Sequence, residues 1–424
     1  SLRNRALQDA PSLAVAEARI KSGQAVVNAV DASRGASVGL TALVNRERIS
    51  GDGFLGMYAH HNPLVGATGP WYTEGIAGLT GSYAVDLWAQ EKAQLEAAIG
   101  RRRAQEAEAA EVKLALSARI ATLYFELQST RAQLDLLKEA QYIRHESLLA
   151  HSARFKRGLE AQVIVERTKA QKSETAQQID AAHTRVRICT EMLRSLTGSG
   201  PSDFPPILQV SLPTDASGVP SELGIELLSR RPDLQALRSY IEASIGQVEA
   251  AKAAFYPSLN LRAFFGYDAI HLEDLAHATS RQFHVIPGLH LPIFDSGRLN
   301  ANLSIAKTQK NILVAQYNQA IIDAVRQVAQ SGVELESAGQ QITLQEQRVS
   351  SAEISSAGAE AYTAMGLSDG ISALEARLPL LAEKSRLVEL NLLRVRAQIS
   401  LTAALGGGYA SQKNRVDEVE SPSR

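Results

Sequence analysis

The hydrophobic positions of the chain follow a helical period over its longest stretches. Between residues 101 and 157, Arg, Gln, Glu and Lys separate apolar side chains at heptad-like spacing: Leu116, Ile120, Leu123, Leu127, Leu134 and Leu137. A helix over this whole stretch would be on the order of 80 Å long at 1.5 Å per residue, far beyond an average globular helix. The pattern predicts helices that pack side by side in a tube, a stalk or a filament.

Glycine and proline indicate where these helices stop. Gly158 is the only glycine between Gly100 and Gly198, and no proline lies between Pro70 and Pro201. A second tract, rich in Ala, Gln, Leu, Glu and Val, follows in the other half of the chain. We predict long helices at about 88–150, 159–197, 297–355 and 367–405.

A period of two residues occurs in four shorter segments. The predicted strands lie at about 37–46, 74–87, 258–267 and 283–294. In the third, Leu259, Leu261, Ala263, Phe265 and Tyr267 fall on one face, while Ser258, Asn260, Arg262 and Gly266 fall on the other. Each strand therefore has an apolar side and a plainer side, and polar loops join the two strands of each pair.

The order of these elements repeats. Asp86 matches Asp295 and Gly158 matches Gly366, at offsets of 209 and 208 residues. The predicted domains are a first repeat at 1–200, a Pro/Ser-rich linker at 201–220, a second repeat at 221–408 and a tail at 409–424. The chain is therefore an internal duplication of a strand pair with two long helices.

Composition and charge exclude several classes of function. The net charge of -1 over 424 residues leaves no basic excess for nucleic acid. Cys189 is the only cysteine, which excludes an intrachain disulfide and predicts a small core side chain. The sequence has no phosphate-binding glycine loop, no nucleophile elbow and no His-Glu-x-x-His motif, so we predict neither catalysis nor a cofactor.

The strands provide the predicted contact with a bilayer. No stretch approaches the ~18 apolar residues of a membrane-spanning helix. An open sheet edge in hydrocarbon leaves backbone groups unpaired, so four strands must close with those of other copies into eight, twelve or more. The chain begins at Ser1 without a basic and apolar leader, which favours a processed or truncated form. Whether a lipid anchors the N-terminus stays open.

Four motifs are the most specific of the chain, namely Ser229–Leu234, Ala253–Leu259, Leu291–Leu299 and Ala404–Tyr409. They resemble the TolC-like outer membrane factors, in the branch that contains OprM and NodT. Asn45–Ser50 and Gly53–Leu55 further resemble the sub-branch of VceC and MdtP. The resemblance covers nearly the whole chain.

The resemblance implies a mainly α-helical fold with a transmembrane β part. Each duplicated chain would contribute four strands to a 12-stranded β-barrel shared by a homotrimer in the outer membrane, and long helices to an α-helical barrel in the periplasm. The implied function is the passive exit duct of a tripartite multidrug efflux pump. Its implied partners are outer-membrane lipid, a periplasmic membrane-fusion adaptor and an inner-membrane pump, of the major-facilitator type by sub-branch, with an RND pump as the other option.

The family also implies site residues at the helix tips. Adaptor docking would fall on Gly158, Leu159, Gly366, Leu367 and Ser368. The structural alternative is that each glycine supplies the turn and each leucine caps the core. The periplasmic gate would include Tyr362, Asp369 and Glu375, although Glu375 replaces the family's usual aspartate and the tyrosine is displaced by one position. A threefold ring of carboxylates would favour cations and repel itself when closed.

Other polar groups have simpler interpretations. In Arg231-Pro232-Asp233 the proline and the acid fit the first turn of a helix. His271, Asp274 and His277 are spaced like metal ligands but lie in a predicted exposed loop, so we predict no metal site.

Two other functions fit part of the sequence pattern. A soluble coiled-coil structural protein leaves the strands unexplained, and a periplasmic adaptor does not explain the duplication.

Overall fold

The computed structural model describes residues 2–65, 67–200, 202–213 and 229–407. Residues 214–220 of the predicted linker and the predicted tail at 409–424 lie outside the described residues. The helices are α1 (Leu2–Asp9), α2 (Pro11–Ser33), α3 (Gln90–Lys156), α4 (Gln162–Leu196), α5 (Pro232–Ala253), α6 (Arg298–Ala364), α7 (Gly370–Glu375) and α8 (Arg377–Ala404). The strands are β1 (Ser37–Arg48), β2 (Trp71–Val85), β3 (Ser258–Ala269) and β4 (Arg281–His290). The prediction of a mainly helical chain with four strands is confirmed.

The chain divides into two compact units. The helical unit comprises Ser1–Arg19, Gln105–Ala236 and Tyr317–Arg424. The strand unit comprises Ile20–Ala104 and Leu237–Gln316. No helix among the described residues is both long and apolar enough to cross a membrane.

The main core of the helical unit lies between α1, the start of α2, α3 and α4. Its buried members include four of the predicted heptad residues together with Ala6, Leu13, Cys189 and Leu193. Cys189 is 1% exposed, and burial raises the pKa of its thiol, so the side chain stays protonated. The prediction that Cys189 fills the core is confirmed.

A buried carboxylate connects three helices of this unit. Glu126 of α3 is 8% exposed and accepts hydrogen bonds from Arg185 of α4 and from Arg396 of α8, the latter at 2.8 Å. The Glu126 carboxylate also raises the pKa of Arg185. Removing either partner would leave a buried charge less well paired, so the group fixes α3 against both neighbours.

The described part of the linker runs along α3. The buried Gln128 amide donates to the Leu208 carbonyl at 2.9 Å and accepts from the Val210 N–H at 3.0 Å. Arg131 donates to the Ile207 carbonyl at 2.7 Å. The α3 side chains thereby satisfy backbone groups of a segment that has no regular structure of its own.

The Arg231-Pro232-Asp233 segment starts α5, as predicted. Pro232 is the first helical residue, where its missing N–H costs nothing. Arg231 is buried and donates to both Asp233 carboxylate oxygens, to the Gln327 side chain and to the Ala404 carbonyl. The segment is therefore a structural junction between the start of α5, α6 and the end of α8.

The strand unit contains one antiparallel sheet in the order β1-β2-β3-β4. Register pairs Leu40 with Leu79, and Leu79 with Phe265, so apolar side chains of neighbouring strands share one face. The other face is more polar: nearly half of its residues are serine, threonine, asparagine or glycine, and it carries Glu47, Glu74 and Asp268. The predicted division into an apolar and a polar side is confirmed.

Two strand ends differ from the prediction by three residues or more. β2 begins three residues earlier than expected, because Trp71 pairs with Arg48 at the loop end of the hairpin. β4 stops at His290 and not near 294, because its last partner is Ser258, the first residue of β3. Ile293 therefore has no strand beside it and is exposed.

The two long helices of the repeats begin in the same way. The Asp86 carboxylate accepts from the Lys92 N–H at 3.0 Å, and the Asp295 carboxylate accepts from the Leu299 N–H at 2.8 Å. Each aspartate thus satisfies an unpaired donor of the first helical turn. These matching caps support the duplication inferred from the sequence.

Helices α3 and α5 pack closely in the strand unit through glycine. A Cβ at Gly100 would lie 2.9 Å from the Ala243 Cβ, and one at Gly246 would lie 2.7 Å from the Ala93 carbonyl oxygen. Both glycines are therefore required for backbone approach and not for flexibility.

The last predicted helix is interrupted. We expected one helix at about 367–405, whereas α7 ends at Glu375 and α8 begins at Arg377. Pro379 accounts for the break, because it has no N–H to donate to the Glu375 carbonyl and its ring crowds that carbonyl. Helices α3 and α6 extend beyond their predicted ends, to Lys156 and Ala364, whereas α4 ends at Leu196, one residue before its predicted end.

Candidate functional site

Two short connections in the helical unit contain the predicted docking residues. The first tip, residues 157–161, joins α3 to α4, and the second tip, residues 365–369, joins α6 to α7. Gly158 has a φ of 73° and Gly366 a φ of 74°, in the left-handed region. The Leu159 N–H donates to the Arg154 carbonyl at 3.0 Å, and the Leu367 N–H donates to the Tyr362 carbonyl at 2.9 Å. Both tips are therefore Schellman ends of the preceding helix.

The leucines after these glycines do not cap a core. Leu159 is 68% exposed and Leu367 is 71% exposed. The structural alternative in which each leucine covers the core is therefore wrong for the isolated chain. Other apolar side chains near the tips are also exposed, namely Phe155, Val163, Tyr362 and Met365. Neighbouring exposed apolar groups of this kind are typical of a surface that binds another protein.

Asp369, the last residue of the second tip, connects this tip to the end of α3. Its Oδ1 accepts from the Ser372 N–H at 2.9 Å and from the Ser372 hydroxyl at 2.6 Å, which caps α7. Its Oδ2 accepts from the Arg154 guanidinium at 2.6 Å. The hydrogen bonds from Ser372, followed by that from Arg154, lower the pKa of Asp369 from 3.8 to about 2. The carboxylate is consequently ionised at any physiological pH.

Glu375, the last residue of α7, makes a second connection to α3. It accepts from the Ser147 hydroxyl, and its Oε1 lies 3.4 Å from the His151 Nε2. The other ring nitrogen, Nδ1, lies 2.8 Å from the Glu160 carboxylate. His151 is 9% exposed, so these contacts with both carboxylates are largely shielded from water. The ring thus lies between the first tip and α7.

The predicted gate residues are not equivalent. Asp369 and Glu375 both contact α3, whereas the Tyr362 side chain is exposed and contributes a backbone carbonyl to the second tip. Ser368 is half-buried. The first hairpin consists of α3 and α4, and the second consists of α6, α7 and α8. Within the described residues, the side chains of Asp369 and Glu375 therefore contact the first hairpin, and that of Tyr362 does not.

The α3 partners of these acids were not predicted from the sequence. Ser147, His151 and Arg154 occur at spacings of four and three residues, which places them on one face of α3. That spacing predicts a stripe of polar side chains along this face of α3. It could not identify the partners, because Asp369 is 215 residues from Arg154 along the chain.

The His271, Asp274 and His277 set is not assembled around a common point. His277 pairs with Asp274 at 3.3 Å, while His271 contacts the Thr68 hydroxyl at 3.4 Å and the Tyr72 ring. Among the residues that the structure describes, no three His, Cys, Asp or Glu side chains are placed to hold a metal. These loop residues pack the two loops of the strand unit together.

The duplicated chain matches a known family in both halves. Residues 2–199 and residues 223–407 match the family described as outer membrane efflux protein. The chain belongs to this family, and it is a TolC-like efflux channel protein of the outer membrane. Members of the family form trimers that work with an adaptor and an inner-membrane pump, and they are channels and not enzymes.

Individual relatives agree with this assignment. The multidrug resistance outer membrane protein MdtP of Escherichia coli O6:H1 is 42% identical over 409 residues, covering 96% of this chain and 84% of MdtP. The crystal structure of the outer membrane protein VceC from Vibrio cholerae is 28% identical with a TM-score of 0.83, covering 96% of both chains. The CmeC outer membrane channel of Campylobacter jejuni, 19% identical with a TM-score of 0.85, covers 98% of this chain and 88% of its own and shares the fold alone.

Proposed function

We propose that three copies of this chain form the exit duct of a tripartite multidrug efflux pump. The observation that carries the proposal is the sheet, which has unpaired edges at β1 and β4 and one apolar face. Three copies give a closed barrel of twelve strands, in which every edge finds a partner and the apolar face meets lipid. The polar face then lines a water-filled lumen.

The tips are the proposed docking site of the periplasmic adaptor. Leu159 and Leu367 are large apolar side chains that the chain itself leaves in water. Both follow a glycine that fixes the backbone, so the side chains are presented at defined positions. An adaptor helix with apolar residues at its turn would bury them, together with the half-buried Ser368 at the second tip.

The contacts of Asp369 and Glu375 are the proposed latch of the periplasmic gate. Arg154 and His151 hold the second hairpin against the first, so opening requires these polar contacts to separate. Tyr362 lies in the same hairpin as Asp369 and Glu375, so it would move with them when the gate opens. The pump is proposed to be of the major-facilitator type, with an RND pump as the alternative. The exported compounds are proposed to be several different drugs, because the relative MdtP is named a multidrug resistance protein.

Planar bilayers test the duct directly. The purified full-length protein should run as a trimer in detergent and produce stepwise conductance after insertion. In a strain that lacks the chain, sensitivity to dyes, bile salts and antibiotics should rise and be restored by the wild-type gene. A protein that purifies as a detergent-free filament without conductance would instead be the soluble coiled-coil structural protein considered above.

A further inference from the structure

The two faces of the sheet carry different charges. Opposite partners in a strand pair point to the same face, so the register assigns every strand residue to one side. On the apolar face of the four described strands the only charged residues are Arg46, Arg48 and Arg281. The polar face instead carries Glu47, Glu74, Arg262 and Asp268. Positive charge alone is therefore found on the side that faces lipid in the proposed barrel.

The three arginines lie at one end of the sheet. Arg48 is the last residue of β1, Arg46 precedes it by two, and Arg281 is the first residue of β4. This is the end at which loops 49–70 and 270–280 connect the strands. At the other end, where the strands lead into helices, the apolar face carries Tyr83, Val85, Leu259 and Leu289. The charge is thus confined to the loop end.

No carboxylate of the described residues forms an ion pair with any of these arginines. All three side chains are exposed. The Arg46 guanidinium lies 5.7 Å from the centre of the Trp71 ring, and Trp71 pairs with Arg48 across the hairpin. Tyr267 pairs with Arg281 in the same way. Aromatic rings therefore accompany the arginines at the edge of the apolar surface, as in a membrane-interface girdle.

We propose that Arg46, Arg48 and Arg281, the arginine collar, bind phosphate groups of outer-leaflet lipid. The inference rests on the proposed function, because it needs the apolar face in the bilayer and the helices in the periplasm. The loop end then lies at the outer leaflet, whose glycolipid carries phosphate. Guanidinium forks match phosphate oxygens in pairs, and the long stems reach past apolar surface to the headgroups.

Charge complementarity selects lipid phosphate over a protein partner. A protein surface would have to bring carboxylates to the headgroup region that surrounds the barrel, whereas lipid phosphates already lie at that depth. β1 and β4 are the two edges of the sheet, so in the closed barrel the β4 edge of one copy adjoins the β1 edge of the next. The collar then becomes a ring of nine arginines around the trimer, three from each chain.

The test uses full-length trimers in phosphatidylcholine nanodiscs and fluorescent phosphorylated lipid A as the probe. Each arginine at an anionic membrane surface should strengthen binding about fivefold. The R46Q/R48Q/R281Q variant, which lacks all three, should therefore bind the probe on the order of a hundredfold more weakly. Arg262→Gln is the matched control, because Arg262 is an exposed arginine of the same sheet on the polar face. It should bind like the wild type.

Removing the phosphate groups from the lipid probe provides a second test of the proposal. Dephosphorylated lipid A should bind the wild type as weakly as phosphorylated lipid A binds the triple variant, and millimolar inorganic phosphate should not displace the lipid. Equal binding by wild type and triple variant, or equal loss in the Arg262→Gln control, overturns the proposal. Displacement by inorganic phosphate also overturns it, in favour of a free-anion site.

Assembly is checked separately. Trimer mobility and conductance are measured for each variant, so a failure of the duct and a failure of lipid binding give different results. If the triple variant does not assemble, Arg48→Gln alone should weaken binding about fivefold, since Arg48 is an exposed strand-end residue. Unchanged binding in that variant would count against the collar.

Discussion

The two tips of the helical unit share a backbone but not their surroundings. Each ends a long helix with a left-handed glycine and presents an exposed leucine. The first tip is followed by one uninterrupted helix, whereas the second is followed by the six-residue α7 and the break near Pro379. Arg154 and His151 belong to the first hairpin, and the acids that they contact across the two hairpins, Asp369 and Glu375, belong to the second. Duplication thus preserved the turn while the side chains around it became complementary.

Charge reversal at Arg154 should have the largest effect on this pairing. Arg154→Glu places a carboxylate beside Asp369, so repulsion replaces a 2.6 Å ion pair. We expect a several-fold rise in bilayer conductance if the contact holds the gate closed. The R154E/D369R double variant should return conductance towards the wild-type value. Arg157→Glu, at an exposed position of the first tip, is the control, and an equal rise in that variant would contradict the specific contact.

Removing the exposed leucines should separate docking from stability. Leu159→Ser and Leu367→Ser should each weaken adaptor binding about tenfold or more, because a buried leucine contributes roughly 1.5–3 kcal/mol. Stability of the trimer should change by less than about 0.5 kcal/mol, since neither side chain is packed in the chain. Pull-down titration with the purified adaptor and thermal unfolding provide the two readouts. Normal adaptor binding by both variants would exclude the tips as the docking site.

Alanine at the tip glycines should reveal what the two turns have in common. Gly158→Ala and Gly366→Ala each force a side chain into the left-handed region, at a cost of about 1 kcal/mol. No heavy atom lies within 4 Å of either added Cβ, so strain and not a clash is expected. Denaturant unfolding in detergent should therefore show equal losses. Clearly unequal losses would mean that the turns are less alike than their dihedral angles.

The pH dependence of Asp369 should be the smallest effect. Its pKa falls from 3.8 to about 2 in the folded chain, so its ionised form is the stabilised one. Its contribution is complete above the unfolded pKa and is lost as the pH falls towards about 2. Asp369→Asn should therefore alter conductance equally at pH 7 and pH 5. An effect that disappears by pH 5 would contradict the Arg154 and Ser372 contacts.

Local patterns predicted the elements well because their causes are local. The alternation from Leu259 to Tyr267 identifies the faces of β3, and Pro232 with Asp233 identifies the start of α5. Pro379 was also a local signal for the break between α7 and α8, although the helix prediction ran through it. In each case a residue's own backbone or its immediate neighbours determine the outcome.

The candidate site depended on distant partners and was predicted only in part. Asp369 and Glu375 were identified through the family resemblance, but their partners Arg154 and His151 come from the other repeat. The exposure of Leu159 and Leu367 is likewise a tertiary property, which no spacing reveals. The end of β4 at His290 follows from where β3 begins and not from its own residues.

The contact at Gly100 and Gly246 has a consequence for mutational tolerance. Glycine inside a helix costs about 1 kcal/mol relative to alanine, so helix propensity alone would favour alanine at these positions. The neighbouring backbone forbids it, since even a methyl group at Gly100 would lie 3.0 Å from the Ala243 backbone nitrogen. In a saturation library of α3, Gly100 should therefore be among the positions that accept the fewest substitutions, despite lying in a sequence that looks generically helical.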